Sequence, residues 1–197
     1  SLRIAFELDR RLARIVSRTT EPILGQMRLA WWRDALAVPA ADRPRGDLVL
    51  DAIGQYWAGR EAALSSMVDG WEIFVTAQVL DQAKAADFGK QRGAFFEALD
   101  PQNSSAHADR LAVAGSRWAL ADAAAGVSNP NERSALIAAG LALSTSDGRK
   151  MARFPKRMRG LAILDALALR ALARGGKPLI DGRGAALTAF KAAIFRT

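Results

Sequence analysis

Residues 21–36 of this chain read EPILGQMRLAWWRDAL, and this stretch decides the fold. Pro22 suits the first turn of an α-helix, where its missing N–H is not needed, and Glu21 is favourable at a helix start. Trp31 and Trp32 are adjacent, so their side chains leave the helix roughly 100° apart and cover a broad face. The block therefore predicts a helix that presents two bulky indole groups, each with an N–H that needs a partner when buried.

The composition around this stretch predicts an all-α fold and a single domain over residues 1–197. A chain of 197 residues is long enough for one sizeable core. Alanine and leucine dominate and are strong helix formers, whereas strand-favouring runs are scarce. The absence of cysteine excludes disulfides, thiolate metal sites and cysteine nucleophiles, and it fits a reducing compartment.

The sequence indicates a cytoplasmic protein. No apolar run reaches the roughly 18–20 residues that a bilayer-spanning helix needs. The N-terminus has no charged-then-apolar signal layout, and it begins at Ser1 without methionine, inside a predicted helix. We therefore expect that native residues can precede Ser1, and that any membrane contact is peripheral, on the inner membrane.

Apolar spacing, capping residues and helix breakers predict nine helices. Thr20, Asp47 and Asn129 are predicted N-caps, and Gly126 suits the position after a helix end. Gly89 and Gly93 lie four apart on one helix, which suggests close approach of another backbone or a ligand. The predicted spans are about 2–17, 21–38, 48–57, 60–80, 82–99, 105–125, 130–144, 155–174 and 185–195.

Positive charge is concentrated in the last quarter of the chain. The net charge is +8, and residues 149–197 hold 12 Lys+Arg against 2 Asp+Glu, whereas residues 1–148 hold 16 against 18. Such a segment favours an anionic partner, namely a diphosphate, an acidic phospholipid, nucleic acid or an acidic protein face. The other interpretation is a solvated, arginine-rich helical surface without a partner.

Few of the common catalytic devices can be built from these residues. His107 is the single histidine, so a histidine-based metal site would need carboxylates for every other ligand, and a surface role is predicted. Neither a Gly-x-Ser-x-Gly elbow nor a glycine-rich phosphate loop after a strand occurs. Nucleic-acid binding is not expected, because the basic residues are dispersed and few aromatics lie among them.

Carboxylates that share a helix face are rare. Asp69 and Glu72 lie three apart on one helix and could hold Mg²⁺, or they could form a solvated, salt-bridged pair beside Gly70. Asp122 has no acidic neighbour at helical spacing, so it is expected to stand alone. No aspartate-rich cluster is present, and neither catalytic residues nor metal ligands are predicted.

Five patches of the chain resemble the squalene/phytoene synthase family, in the same order and with similar spacing. The strongest is residues 21–36, which is similar to the family's Trp-Trp-Arg-Asp signature. The others are MVDGWE at 67–72, RGAFF at 92–96, AGSRWALAD at 114–122 and RFPKRMRGLAIL at 153–164. The resemblance implies a single-domain, isoprenoid synthase-like helical bundle with a central cavity.

Active members of this family condense two prenyl diphosphates with Mg²⁺ held by two aspartate-rich motifs on facing helices. Here the first motif would fall on FELDR at 6–10, and the second would fall near residues 121–130, where Asp122 is the only acidic residue. The chain is most similar to a divergent branch that lacks these motifs and includes a mitochondrial complex I assembly factor.

The prediction is therefore a non-catalytic or degenerate relative that binds a protein partner, an acidic membrane surface or an isoprenoid-like lipid, without a cofactor. The alternative is a Mg²⁺-dependent prenyltransferase with an atypical diphosphate site at Arg28, Asp69 and Glu72. The candidate cavity or ligand-binding residues are Arg28, Trp31, Trp32, Asp69, Glu72 and Trp118. The candidate surface for an anionic partner consists of Arg153, Lys156, Arg157 and Arg159.

Overall fold

The computed structural model describes residues 1–100, 105–143 and 153–195, and its described residues are all-helical, as predicted. Nine α-helices lie in this part of the chain, together with 3₁₀ turns at Ala40–Asp42, Ala94–Leu99 and Lys156–Met158. The α-helices are α1 (Leu2–Arg18), α2 (Pro22–Ala37), α3 (Leu48–Tyr56), α4 (Glu61–Thr76), α5 (Gln82–Gly93), α6 (Ser105–Gly126), α7 (Pro130–Ala142), α8 (Arg159–Ala173) and α9 (Gly184–Phe195).

Two of the three predicted N-caps are confirmed, at Asp47 and Asn129. Thr20 does not cap α2, because the residue at its N-cap position is Glu21, whose side chain makes no capping hydrogen bond. The Asp47 carboxylate accepts hydrogen bonds from the backbone N–H groups of Val49 and Leu50, and the Asn129 side chain accepts from Asn131. These side chains satisfy backbone donors that have no partner within the first turn of a helix. Pro130 occupies the first turn of α7, where its fixed φ is already helical.

Three predicted helix boundaries were wrong. The fifth helix ends at Gly93 rather than near residue 99, and the chain continues as a 3₁₀ turn. The fourth helix ends at Thr76 rather than near residue 80, because Asp81 caps α5 through Lys84 N–H and the chain must break before that cap. The eighth α-helix begins at Arg159 rather than at Pro155, which precedes the 3₁₀ turn. The predicted turn at residues 146–148 lies outside the described residues.

Helices α4, α5 and α6 form the centre of the domain. Helix α1 packs on α2, α3 and α4, whereas α6 also contacts α7 and α8, and α9 packs on α8. The approach of α5 to α6 is close at Gly93, where an added Cβ would lie 2.3 Å from the carbonyl carbon of Gly115. The predicted close approach of a second backbone is therefore confirmed at Gly93, whereas Gly89 faces the side chain of Leu120.

Aromatic rings fill the core. Phe95 lies at its centre, with its ring centroid 4.8–6.5 Å from those of four other rings. Most of these contacts are edge-to-face, which the ring quadrupoles favour. The four partner rings belong to Phe6, Trp57, Phe96 and Trp118.

An ion cluster joins α6 to α8. Asp165 is fully buried, and its two carboxylate oxygens accept hydrogen bonds from Arg110 and Arg117. Burial of a carboxylate is tolerated only with such partners.

None of the helices in the three described segments combines the length and the hydropathy that crossing a bilayer requires.

Candidate functional site

A buried arginine connects three helices where the family resemblance would place a metal site. Arg92 on α5 donates from Nε and Nη2 to the two carboxylate oxygens of Asp9 on α1, at 2.8 and 2.7 Å. The same Nη2 donates to Asp122 on α6 at 2.5 Å, and Nη1 donates to the carbonyl oxygen of Ala119. Trp71 Nε1 donates to Asp9 Oδ1 at 2.8 Å.

Two indole rings enclose this guanidinium. The Cζ atom of Arg92 lies 4.6 Å from the ring centroid of Trp71 and 4.6 Å from that of Trp118. Burial opposes the charge, but attraction to Asp9 and Asp122 and their hydrogen bonds outweigh it, so the pKa of Arg92 is raised. Trp118 is therefore a core residue that stabilises an internal cation.

This cluster corrects one prediction from the sequence. Asp122 does not stand alone, because it and Asp9 approach the same guanidinium from facing helices. Helical spacing could not reveal this pairing, since Asp9 and Asp122 are on different helices. The central cation between these two carboxylates is a side chain of the protein itself.

Asp69 and Glu72 are joined by a second arginine. Arg33 on α2 donates from Nε to Asp69 Oδ1 at 2.7 Å, and its Nη2 donates to Glu72 Oε2. The hydrogen bond to Glu72, opposed by burial and helped by Asp69, raises the pKa of Arg33. The pair thus has the salt-bridged arrangement that the sequence left open. Across the described segments, no three His, Cys, Asp or Glu side chains are grouped as metal ligands.

Arg28, Trp31 and Trp32 do come together, in an open groove of about 610 Å³ between α1 and α2. We call it the basic groove. Trp32 is buried, and Trp31 leaves 44% of its surface exposed at the groove wall. The polar and aromatic lining consists of Arg11, Arg14, Arg18, Arg28, Trp31, Trp32 and Asp47. Asp69, Glu72 and Trp118 are not among the groove's lining residues.

Sequence reasoning missed three arginines of this groove. Arg11, Arg14 and Arg18 are spaced i, i+3 and i+7 on α1, which places them along one side of the helix. That spacing was a readable signal. The net charge of residues 1–148 does not show this cluster, because acidic residues elsewhere in the segment cancel the charge of these arginines.

The predicted C-terminal basic residues are exposed. Arg153, Lys156, Arg157 and Arg159 all lie at the surface, whereas Phe154 beside them is buried. Arg157 also donates to the buried Asp100 at 2.6 Å while most of its side chain stays in solvent. These residues therefore form an accessible basic surface around the 3₁₀ turn and the start of α8.

An apolar stripe lies on the last helix. Leu187, Phe190 and Ile194 are spaced i, i+3 and i+7 on α9, and at least half of each side chain is exposed. Ala185 and Ala192 form the buried contact of this helix. Large apolar side chains that line up on an exposed helix side mark an interaction surface more often than isolated ones do.

In the part of the chain that the structure describes, the fold is all-helical, with an arginine-centred core, a basic groove and an exposed apolar helix side. Comparison of the chain with protein-family models, curated proteins and solved structures gives no match.

Proposed function

We propose that this chain is a divergent, non-catalytic protein of the squalene/phytoene synthase type, with an isoprenoid synthase-like bundle, that binds an acidic membrane surface. The observation that carries the proposal is the apolar stripe of Leu187, Phe190 and Ile194 on α9. A helix that presents such a stripe beside basic side chains can lie in the headgroup region with its apolar side inserted.

The charges around the stripe support an acidic lipid surface. Lys191 lies on α9 and Arg183 directly precedes it, and residues 184–195 contain no carboxylate side chain. Both basic side chains are exposed. Each basic residue close to an anionic leaflet contributes about 1 kcal/mol of attraction. The exposed basic residues at 153–159 would add to this attraction if they face the same leaflet as α9.

The proposal is tested by co-sedimentation with vesicles of phosphatidylcholine alone or mixed with phosphatidylserine. The variant L187S/F190S/I194S removes the stripe without changing charge, and we expect it to lose binding to the acidic vesicles. L48S/V79S is the matched control, because Leu48 and Val79 are also exposed apolar residues outside α9.

Two results would contradict the membrane proposal. One is equal binding of the wild-type protein to neutral and acidic vesicles, and the other is unchanged acidic-vesicle binding by the stripe variant. Negligible vesicle binding together with specific association to a protein partner that the stripe variant loses would replace the membrane with that partner.

The non-catalytic part of the proposal has its own test. Arg33 already engages Asp69 and Glu72, so a magnesium ion held there would have to displace a guanidinium. We expect no release of pyrophosphate from farnesyl diphosphate in the presence of Mg²⁺. Release that disappears in D69N/E72Q would instead establish the prenyltransferase alternative.

A further inference from the structure

We infer that the basic groove between α1 and α2 is a binding site for a phosphate group that carries an organic substituent. This inference is independent of the proposed membrane contact through α9. It rests on how the arginines of the groove are paired, on the residues that hold them, and on the exposed indole beside them.

Within residues 1–100, 105–143 and 153–195, one arginine of the groove is neutralised by a carboxylate. Arg11 donates to Asp47, and its guanidinium lies 5.9 Å from the ring centroid of Trp32. Arg14 donates from Nε to a backbone carbonyl, and Arg28 donates from Nη1 to a hydroxyl, so both keep their full charge. Arg18 has no carboxylate partner among the described residues. The groove therefore carries three uncompensated positive charges.

The geometry holds these charges together. Arg14 and Arg18 are four residues apart on α1 and lie on one side of the helix. Thr19, at the end of α1, donates to the carbonyl oxygen of Ile15 at 2.6 Å and accepts from Arg28 Nη1 at 3.3 Å. This hydroxyl places the Arg28 guanidinium of α2 next to the end of α1, where Arg18 lies.

Three like charges in one groove repel one another, and a bound anion removes that repulsion. Phosphate is the best match, because it accepts several hydrogen bonds at once and carries more than one negative charge near pH 7. Guanidinium groups bind it through two parallel N–H donors. Trp31 offers a flat apolar wall to an organic substituent, and the groove volume of about 610 Å³ leaves room for one.

Two sources could supply this chemistry, a free phosphorylated molecule or the headgroup of a phospholipid. The probes are inorganic pyrophosphate, glycerol phosphate and vesicles that contain phosphatidic acid. Binding of the two soluble probes is followed by tryptophan fluorescence, since Trp31 lies in the groove, and by the rise in melting temperature that a native-state ligand produces. Vesicle binding is followed by co-sedimentation.

The test variant is R14Q/R18Q, and R3Q/K90Q is the matched control with the same change in charge at exposed positions outside the groove. We expect the test variant to weaken binding by about 10-fold or more, since it removes two of the charged hydrogen-bond donors that would hold the phosphate. The control should stay within about 2-fold. D47N, which frees Arg11 from its carboxylate, should tighten binding.

Loss of soluble-probe binding in R14Q/R18Q identifies a free phosphate ligand, and loss with the phosphatidic acid vesicles alone identifies a lipid headgroup. The inference is overturned if no probe binds the wild-type protein, or if R14Q/R18Q and R3Q/K90Q bind equally. The α9 variant L187S/F190S/I194S should still bind pyrophosphate, so failure of the membrane proposal is distinguishable from failure of this one.

Discussion

Arg92 and Asp9 form a two-point ion pair across 83 positions of the chain, with Nε and Nη2 donating to the two carboxylate oxygens at 2.8 and 2.7 Å. Both side chains are buried. A buried pair of this kind stabilises little compared with apolar packing, but removal of one partner leaves the other charge uncompensated. The pair therefore fixes how α1 meets α5 and α6 more than it adds to stability.

Removal of either partner should destabilise the fold. We expect R92M to lower the free energy of unfolding by about 3–5 kcal/mol, because it leaves the buried Asp9 carboxylate without its cation. D9N should cost less, because Asp122 still pairs with the Arg92 guanidinium. The double variant D9N/R92M should lose clearly less than the sum of the two, since no unpaired charge of this pair remains. Urea unfolding followed by circular dichroism measures all three. Additive losses would show that the two residues act independently.

The contact between α5 and α6 should be equally sensitive to one methyl group. An added Cβ at Gly93 would lie 2.3 Å from the carbonyl carbon of Gly115, so G93A requires the two backbones to separate. We expect a loss of about 1–3 kcal/mol or more in the free energy of unfolding. G160A is the control, since nothing lies within 4 Å of its added Cβ, and it should be neutral or stabilising by up to about 1 kcal/mol. Equal melting temperatures for G93A and G160A would show that the contact between α5 and α6 tolerates an added methyl group.

The helices were readable from the sequence because their signals are local. Apolar spacing, Asp47, Asn129 and the breakers place nine α-helices in the described part of the chain, as predicted. The errors lie at ends that depend on neighbouring elements. The fifth predicted helix was extended to residue 99, whereas α5 ends at Gly93 and continues as a 3₁₀ turn that packs on α4 and α6.

The candidate site was predicted less completely, because most of its contacts join distant helices. The sequence selected Arg28, Trp31 and Trp32, which line one groove, but not the three arginines of α1 that complete it. Spacing could not show that Arg33 reaches from α2 to Asp69 on α4. It also could not show that Asp122 shares a guanidinium with Asp9. Pairings of this kind require the packing of the helices to be known.

The stability of the N-terminal half should depend on pH through Asp47. Burial opposes ionisation of this carboxyl, but the N–H groups of Leu50 and Val49 and the guanidinium of Arg11 outweigh it and lower its pKa. A carboxyl whose pKa is lower in the folded state adds stability that is fully present above its unfolded pKa, near 4, and is lost as pH falls through the folded pKa. We therefore expect the melting temperature to fall as the pH drops below about 5 and through the folded pKa of Asp47.

D47N separates the charge of this residue from its capping role. Asparagine caps a helix about as well as aspartate does, so D47N should keep the N-cap and lose only the ion pair with Arg11. We expect a loss at neutral pH of up to about 1 kcal/mol, since both side chains are partly exposed. D47A should lose about 1 kcal/mol more. The melting temperatures of the three proteins are measured from neutral to acidic pH. If the melting temperature of D47N falls with pH as steeply as that of the wild-type protein, other carboxyls cause the acid sensitivity.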